Sequence, residues 1–166
     1  MKDPNESFQV APLWPVLQGV FGFTNALNYY APYVGAGISV SKSDPAFRWF
    51  EVSLDMGFLN QNYVGSHFGG SLYAMCDPFY MFILMQNLGE DYIVWDKSAS
   101  IDFIRPGQGK VTARFEISAE EIAAIKAQVD RERKMSPVFE AEIVGEDGKV
   151  VAKVHKTLYV RRKKKK

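Results

Sequence analysis

The chain has 166 residues, 47% of them hydrophobic and 23% charged, which is the composition of an ordinary globular protein and predicts one domain, 1–166, with a real core. A single cysteine, Cys76, excludes an internal disulfide and a cysteine-based zinc framework, and the first ten residues lack the basic start and apolar run of a signal peptide. The net charge is +1, but the last six residues are all basic, so 14 basic and 19 acidic residues leave a net charge of −5 over residues 1–160. These features favour a cytoplasmic protein with a mildly acidic body.

The first predicted element is a helix in residues 13–30, which are rich in apolar side chains. Prolines and glycines interrupt this stretch, and they predict that the helix begins only after Pro15. We assign residues 1–34 to an N-terminal helical extension. Residues 35–56 then predict two strands that are separated by a turn at 43–45. In the second strand, four apolar side chains share one face at a spacing of two: Phe50, Val52, Leu54 and Met56.

Residues 67–86, HFGGSLYAMCDPFYMFILMQ, are almost entirely apolar or small, yet they contain Asp77 followed by Pro78. About twenty residues exceed the usual length of a strand, and an aspartate near the centre of a membrane span would cost roughly 2.5–3.5 kcal/mol. Because apolar groups occur all round rather than on one stripe, a fully buried helix fits best. Pro78 removes one backbone hydrogen bond and is expected to bend this helix, and Gly89 is expected to end it.

After this helix the spacing of apolar residues changes to two, which predicts strands. The first of these strands would place one set of side chains on a common face, interrupted only by Lys97: Ile93, Trp95, Ala99, Ile101 and Phe103. A turn at 105–107 leads to a second strand with a clean alternation. The inner face of this second strand holds Val111, Ala113, Phe115 and Ile117.

Ser118 and Glu121 have the spacing of a capping box, which predicts the start of a short surface helix. Its apolar stripe consists of Ile122, Ile125 and Val129. The pair Asp147-Gly148 between two strand-like runs predicts a final hairpin. Antiparallel strands would therefore wrap one long apolar helix in an α+β domain. We expect the basic residues 161–166 to form a disordered tail, although such a tail can also contact anionic lipid, nucleic acid or phosphates.

Three features near the central helix could carry chemistry. Gly69 and Gly70 would let a ligand approach the first amides of the helix, where an oxyanion can develop, or they are only turn residues. Burial would make Asp77 a better base near neutral pH; alternatively, Asp77 pairs with a buried partner or caps a half-helix before Pro78. Asn62, in the preceding loop, either positions a water or carbonyl or is an ordinary turn residue.

The frame Asn62-x-x-Gly65-x-x-x-Gly69-Gly70, with Asp77 after six intervening residues, resembles the hotdog-fold acyl-CoA thioesterases of the phenylacetyl-CoA thioesterase (PaaI) type. The later run DFIRPGQGKVTARFEIS resembles that family's strand, Arg-Pro turn, glycine and strand. The resemblance covers roughly residues 35–162. It implies a hotdog fold, in which an antiparallel sheet wraps a long central helix, and an uncharacterised bacterial branch of the superfamily.

The resemblance also implies thioester hydrolysis of an acyl-CoA or acyl carrier. Asp77 would act as general base or nucleophile, the Gly70 amide as oxyanion donor, and Asn62 and His67 as helpers. The implied substrate-binding residues are Gly65, Gly69, Phe68, Tyr73 and Arg105. Four side chains of the central helix could line an acyl tunnel, although residues at this spacing are also typical of a core: Phe79, Tyr80, Phe82 and Met85.

In hotdog proteins the site lies between two subunits, which implies a homodimer or a dimer of dimers with Gly70 and Asp77 supplied by different chains. The substrate would bring coenzyme A, and nothing in the sequence calls for a metal or another cofactor. No nucleic-acid partner is expected beyond what the terminal lysines could attract, and no membrane insertion.

One departure from the family pattern concerns the residue before the two glycines. Family members commonly have histidine there, whereas this chain has Phe68 and places His67 one position earlier. One position on a helix is a rotation of about 100°. Two alternatives to a thioesterase therefore stay open: a hotdog dehydratase or hydratase, which would need His67 near Asp77 across the interface, and a non-catalytic dimer that binds acyl ligands or is purely structural.

Overall fold

The computed structural model describes residues 10–164. The N-terminal residues 1–9, which carry most of the signal-peptide argument, and the last two lysines of the predicted tail lie outside the described residues. The helices are α1 Leu13–Leu27, α2 Ala31–Ala36, α3 Gly69–Ala74, α4 Phe79–Leu88 and α5 Ala119–Glu132. The strands are β1 Ile38–Ser43, β2 Trp49–Leu54, β3 Tyr92–Phe103, β4 Val111–Glu116, β5 Lys134–Met135, β6 Val138–Gly145 and β7 Val150–Arg162.

One antiparallel sheet in the order β1-β2-β4-β6-β7-β3 forms the body of the molecule, and the short β5 pairs with β7. The inner face of this sheet packs on the central helix segments α3 and α4. Their largest fully buried side chains include Phe79, Ile83 and Leu84, which meet Phe50 and Phe115 of the sheet in one core cluster. The predicted α+β class, with antiparallel strands around an apolar helix, is confirmed.

The N-terminal helix α1 begins at Leu13, so the prediction that it starts after Pro15 is wrong. Pro15 sits in the first turn, where a backbone N–H has no partner within the helix and its loss costs nothing. Gly22 has φ 76° and ψ 165° and kinks α1. The helical region also extends two residues beyond the expected boundary at 34, because the additional helix α2 ends only at Gly37, which is left-handed with φ 78°.

Pro78 breaks the central helix instead of bending it. α3 ends at Ala74 and α4 begins at Phe79. In between, the amides of Cys76 and Asp77 bond carbonyls three residues back, at 2.9 and 3.3 Å, which is the tighter 3₁₀ pattern. Gly89, with φ 82°, ends α4 as predicted.

Strand β3 does not keep the single apolar face that its sequence predicts. The register against β7 shifts between Asp96 and Ser98, so Lys97 forms a bulge. Before the bulge Val94 and Asp96 point to the inner face, while Ile93 and Trp95 point outward. After it the inner face continues through Ala99, Ile101 and Phe103, so these three do not share a face with Ile93 and Trp95. β3 is an edge strand of the sheet.

The C-terminal half follows the sequence closely. The inner face of β4 is fully buried, Ser118 caps α5 by accepting a hydrogen bond from the Glu121 amide at 3.1 Å, and the Asp147-Gly148 hairpin joins β6 to β7. The basic tail begins later than expected, because Arg161 and Arg162 belong to β7. Arg162 forms an ion pair with Asp130 of α5, with 2.9 Å between Nη1 and Oδ1.

Candidate functional site

Asp77 meets a buried lysine. The Nζ atom of Lys156, on β7, lies 2.6 Å from Asp77 Oδ1, and the hydroxyl of Tyr73, one turn earlier along the central helix, donates to the same oxygen at 2.8 Å. The side chain of Lys156 is only 1% exposed, whereas that of Asp77 is 51% exposed. Of the alternatives for Asp77, pairing with a buried partner is therefore what the structure contains, and its carboxylate still reaches open space.

A second carboxylate completes this cluster. Asp96 Oδ2, on the inner face of β3 next to the bulge, lies 3.2 Å from Lys156 Nζ, and the Tyr73 hydroxyl also accepts from Nζ at 3.2 Å. Asp96 Oδ1 is buried without a hydrogen-bond partner among the described residues. One ammonium thus serves two carboxylates and one phenol.

The cluster shifts the pKa values of several of its groups. Burial raises the pKa of Asp96, and the charge of Asp77 adds to this effect while Lys156 opposes it. Burial by itself would lower the pKa of Lys156, but its hydrogen bond to Asp77 and the charge of Asp96 raise that pKa overall. Burial also raises the pKa of Tyr73 and brings that of Cys76 to about 12. Lys156 is therefore charged and both Tyr73 and Cys76 are neutral near pH 7.

Asp77 lies on the wall of an apolar cavity of about 610 Å³, a size typical of small-molecule sites. The cavity lies between the N-terminal helices and the central helix, and Asp77 is the one charged residue among the described residues that line it. Its lining includes Trp14, Phe23, Tyr33, Tyr73, Phe82 and Met85. Of the four predicted tunnel residues, Phe82 and Met85 line this cavity, whereas Phe79 and Tyr80 belong to the buried core.

Asn62 and His67 organise the loop that precedes the central helix. The Asn62 side chain donates to Ser66 Oγ at 2.8 Å and accepts from the Val64 and Ser66 amides at 3.0 Å, and Gly65 adopts φ 75° within this turn. His67 is buried, and its Nε2 lies 2.8 Å from the carbonyl oxygen of Gly109 in the loop after β3. Within one chain, both side chains are engaged in holding loops.

The glycine pair lies under aromatic rings. A Cβ on Gly70 would come within 2.4 Å of the Phe68 ring, and a Cβ on Gly69 within 2.9 Å of the Phe103 ring, so a side chain at either position would require the facing ring to move. Phe68 itself is exposed. A second, smaller cavity of about 370 Å³ opens here and is lined by residues that include Asn62, His67, Gly69 and Arg105.

Arg105 braces the final hairpin. Its Nη2 lies 2.5 Å from Asp147 Oδ1, and its guanidinium also donates to the carbonyls of Lys149 and Val150 at 3.1 and 3.2 Å. Six of the nine predicted site residues thus fall into two groups within one chain. Asp77 and Tyr73 face the large cavity, and Asn62, His67, Gly69 and Arg105 surround the small one.

Sequence reasoning missed Lys156 and Asp96. A signal for Lys156 was present: on β7, Ala152, Val154, Leu158 and Val160 alternate on the inner face, and Lys156 stands in phase with them. A lysine in such a position has to be paired inside the protein. Asp96 gave a weaker signal, because the bulge at Lys97 hides its phase.

Residues 20–160 match a protein-family model described as a domain of unknown function, DUF4442. The chain belongs to this family. No curated protein matches the DUF4442 chain. Among the residues that the structure describes, it contains no helix that has both the length and the apolar character to cross a membrane.

Solved structures share the fold at low sequence identity. A probable thioesterase of unknown function from Pseudomonas aeruginosa superposes with a TM-score of 0.74 at 19% identity, over 84% of the DUF4442 chain and 93% of its own. A thioesterase from Haemophilus influenzae gives 0.61 at 19% over 97% and 96%. The Escherichia coli PaaI protein from the phenylacetic acid degradation operon gives 0.57 at 19% over 82% and 86%. The predicted hotdog fold is confirmed.

Proposed function

We propose that this DUF4442 protein hydrolyses the thioester of an acyl-CoA or a related acyl carrier, with Asp77 as the reacting carboxylate. The observation that carries the proposal is the position of Asp77, a half-exposed carboxylate on the wall of an otherwise uncharged cavity of about 610 Å³. Such a cavity suits an apolar acyl group. Structural neighbours described as thioesterases support this choice of reaction. We place the reaction in the cytoplasm.

Asp77 acts either as a base on a water molecule or as a nucleophile on the thioester carbon. The Gly70 amide, in the first turn of α3 where amides have no partner within the helix, receives the charge that develops on the carbonyl oxygen. Asn62 and His67 shape the turn that presents Gly69 and Gly70. The coenzyme A portion belongs to the substrate, and the route uses no other cofactor.

A homodimer completes the site in this proposal. Residues 97–100 of the edge strand β3 are exposed, and Phe103 and Ile104 at its end expose apolar surface beside Gly69. Edge strands with free backbone groups pair readily with another strand. Pairing of β3 with a second copy would bring Gly69 and Gly70 of one chain near Asp77 of the other chain. One substrate would then contact the glycine amides of one subunit and the carboxylate of the other.

The test is a hydrolysis assay on a panel of short, long and aromatic acyl-CoA thioesters. We expect turnover by the wild-type protein and a loss of about 10²–10⁴-fold in Asp77→Asn, the range that acid–base groups contribute. Asp55→Asn, a surface carboxylate whose nearest cation is 3.7 Å away, is the matched control and should keep full rate. No turnover of any thioester by the wild type, or full activity in Asp77→Asn, would refute the proposal.

A second candidate function is the binding of an acyl ligand without turnover, favoured by Phe68 at the position where histidine is common in the family. The same panel separates the two, because a binding protein would retain acyl ligand unchanged, and Asp77→Asn would not alter its affinity.

A further inference from the structure

Lys156 occupies a position at which the sheet otherwise uses apolar residues. Its neighbours on the inner face of β7, Val154 and Leu158, are fully buried core residues. A buried ammonium is unfavourable unless charged or polar partners surround it. Here the partners converge from two elements: Asp77 and Tyr73 from the central helix and Asp96 from β3. The ammonium is therefore directed at the one acidic group that reaches the cavity.

The two donors on Asp77 both use the same oxygen. Lys156 Nζ and the Tyr73 hydroxyl bond Oδ1, at 2.6 and 2.8 Å. No hydrogen bond from residues 10–164 reaches Oδ2. A carboxylate with one oxygen bonded by an ammonium and a phenol is held in one orientation. Its second oxygen stays available for a ligand.

We propose that Lys156 is the positioning residue of the site: it holds Asp77 as an oriented carboxylate, with Oδ1 fixed and Oδ2 as the oxygen that reacts. This inference rests on the proposed function for the identity of the reaction, and it holds for either role of Asp77. Asp96 opposes the action of Lys156 on Asp77, because it shares the ammonium and places a second negative charge near Asp77.

Neutral titratable groups also belong to or surround this cluster. Among residues 10–164 they include Tyr73 and Cys76 on the central helix segment and Tyr33 on α2. Burial raises the pKa of all three above their ordinary values, so they stay neutral across the range in which carboxylates titrate. The charged groups that face Asp77 in this cluster are Lys156, whose Nζ lies 2.6 Å from Oδ1, and Asp96, which shares that ammonium at 3.2 Å.

The test replaces each of these two groups and follows the protonation of Asp77 directly. Carboxyl-¹³C NMR of protein labelled at aspartate reports the pH at which Asp77 takes up a proton, assigned through Asp77→Asn. In Lys156→Met we expect this pH to rise, because the ammonium that lies 2.6 Å from Oδ1 is removed. Asp96→Asn keeps Lys156 but removes the second carboxylate that shares its ammonium. In this variant we expect the pH at which Asp77 takes up a proton to fall.

Enzyme kinetics supply the second readout. The acid limb of kcat/KM against pH should move up in Lys156→Met and down in Asp96→Asn. Lys153→Met is the matched control, because it makes the same change on the same strand at a surface lysine paired with Glu142 at 2.8 Å. It should change neither the pH at which Asp77 takes up a proton nor the acid limb of kcat/KM. A purely structural Lys156 would instead lower the rate by one factor at every pH.

Opposite shifts in the two variants support the inference. If Asp77 titrates at the same pH in the wild type and in both variants, the inference is overturned, whether or not the protein hydrolyses thioesters. If Lys156→Met does not fold, Asp96→Asn decides alone, because an unchanged titration in that variant contradicts the shared ammonium. Opposite shifts without any hydrolysis by the wild type would refute the proposed function and leave the positioning of Asp77 standing.

Discussion

At the scale of single residues, the cluster of Lys156 with Asp77 and Asp96 is where one substitution is expected to lower stability. Removing the ammonium in Lys156→Met leaves the mostly buried carboxylate of Asp96 without its cation beside the half-exposed Asp77, which should lower the free energy of unfolding by about 1–3 kcal/mol. Lys153→Met, at the exposed pair with Glu142, should leave the stability almost unchanged. Urea denaturation near neutral pH measures both. A loss no greater in Lys156→Met than in Lys153→Met would contradict this reading of the cluster.

The raised pKa of Lys156 also determines how the stability of the protein changes with pH. The folded protein raises the pKa of Lys156 above its ordinary value of 10.5. The stabilisation that Lys156 provides is therefore fully present below about pH 10.5 and is lost as the pH rises through the higher folded value. The difference in unfolding free energy between wild type and Lys156→Met should stay constant up to about pH 10.5 and shrink as the pH rises further. A difference that also stays constant above this pH would show that Lys156 does not act through its charge.

At the scale of elements, the end of α2 depends on one glycine. Gly37 has φ 78°, and a Cβ there would lie 2.8 Å from the carbonyl oxygen of Asp55. Gly37→Ala should therefore destabilise the protein by about 1–3 kcal/mol. Gly35→Ala, two positions earlier inside α2 with open space around it, should stabilise it by about 0.5–1 kcal/mol. Melting temperatures that move in the same direction in both variants would contradict this account.

The cavity wall is shared between α1, α2 and the two central segments, so a side chain on α3 can reduce its volume. Ala74 lines the cavity close to Asp77. Ala74→Leu should raise KM for long acyl-CoA substrates and leave turnover of short ones nearly unchanged, because only the longer chain needs the filled space. Ala123→Leu, on the exposed face of α5, is the control. Equal effects on long and short substrates would place the acyl chain outside this cavity.

For the whole molecule, the exposed edge of β3 predicts self-association. The wild type should sediment as a dimer or a dimer of dimers at micromolar concentration. Ser100→Lys puts like charges near each other when two copies of β3 pair, which should yield monomers with little thioesterase activity. Ala124→Lys adds the same charge on α5 and should change neither property. A stable monomeric wild type with full activity would rule out a site shared between subunits.

How far the sequence reaches depends on whether a signal is local. The alternation in β4, the Ser118 cap and the Asp147-Gly148 turn each act within a few residues, and the structure contains all three. Asp77 was recognisable because it is a lone acid in an apolar helix. The bulge at Lys97 and the pairing of Lys156 with Asp77 depend on strands that meet only in the folded protein. Neither the bulge nor the identity of the partners of Lys156 could therefore be derived from spacing alone.

The interruption of the central helix at Pro78 has a consequence for how the chain folds. α3 has six residues and α4 has ten, and isolated helices shorter than about 12–15 residues are barely stable in water. Neither segment can therefore act as an early local nucleus. The strands that enclose them pair over long separations, with Tyr92 opposite Arg162 in the β3–β7 ladder. Folding is then limited by long-range strand pairing, which places it in the millisecond-to-second range, with the central helix consolidated only as the sheet closes around it.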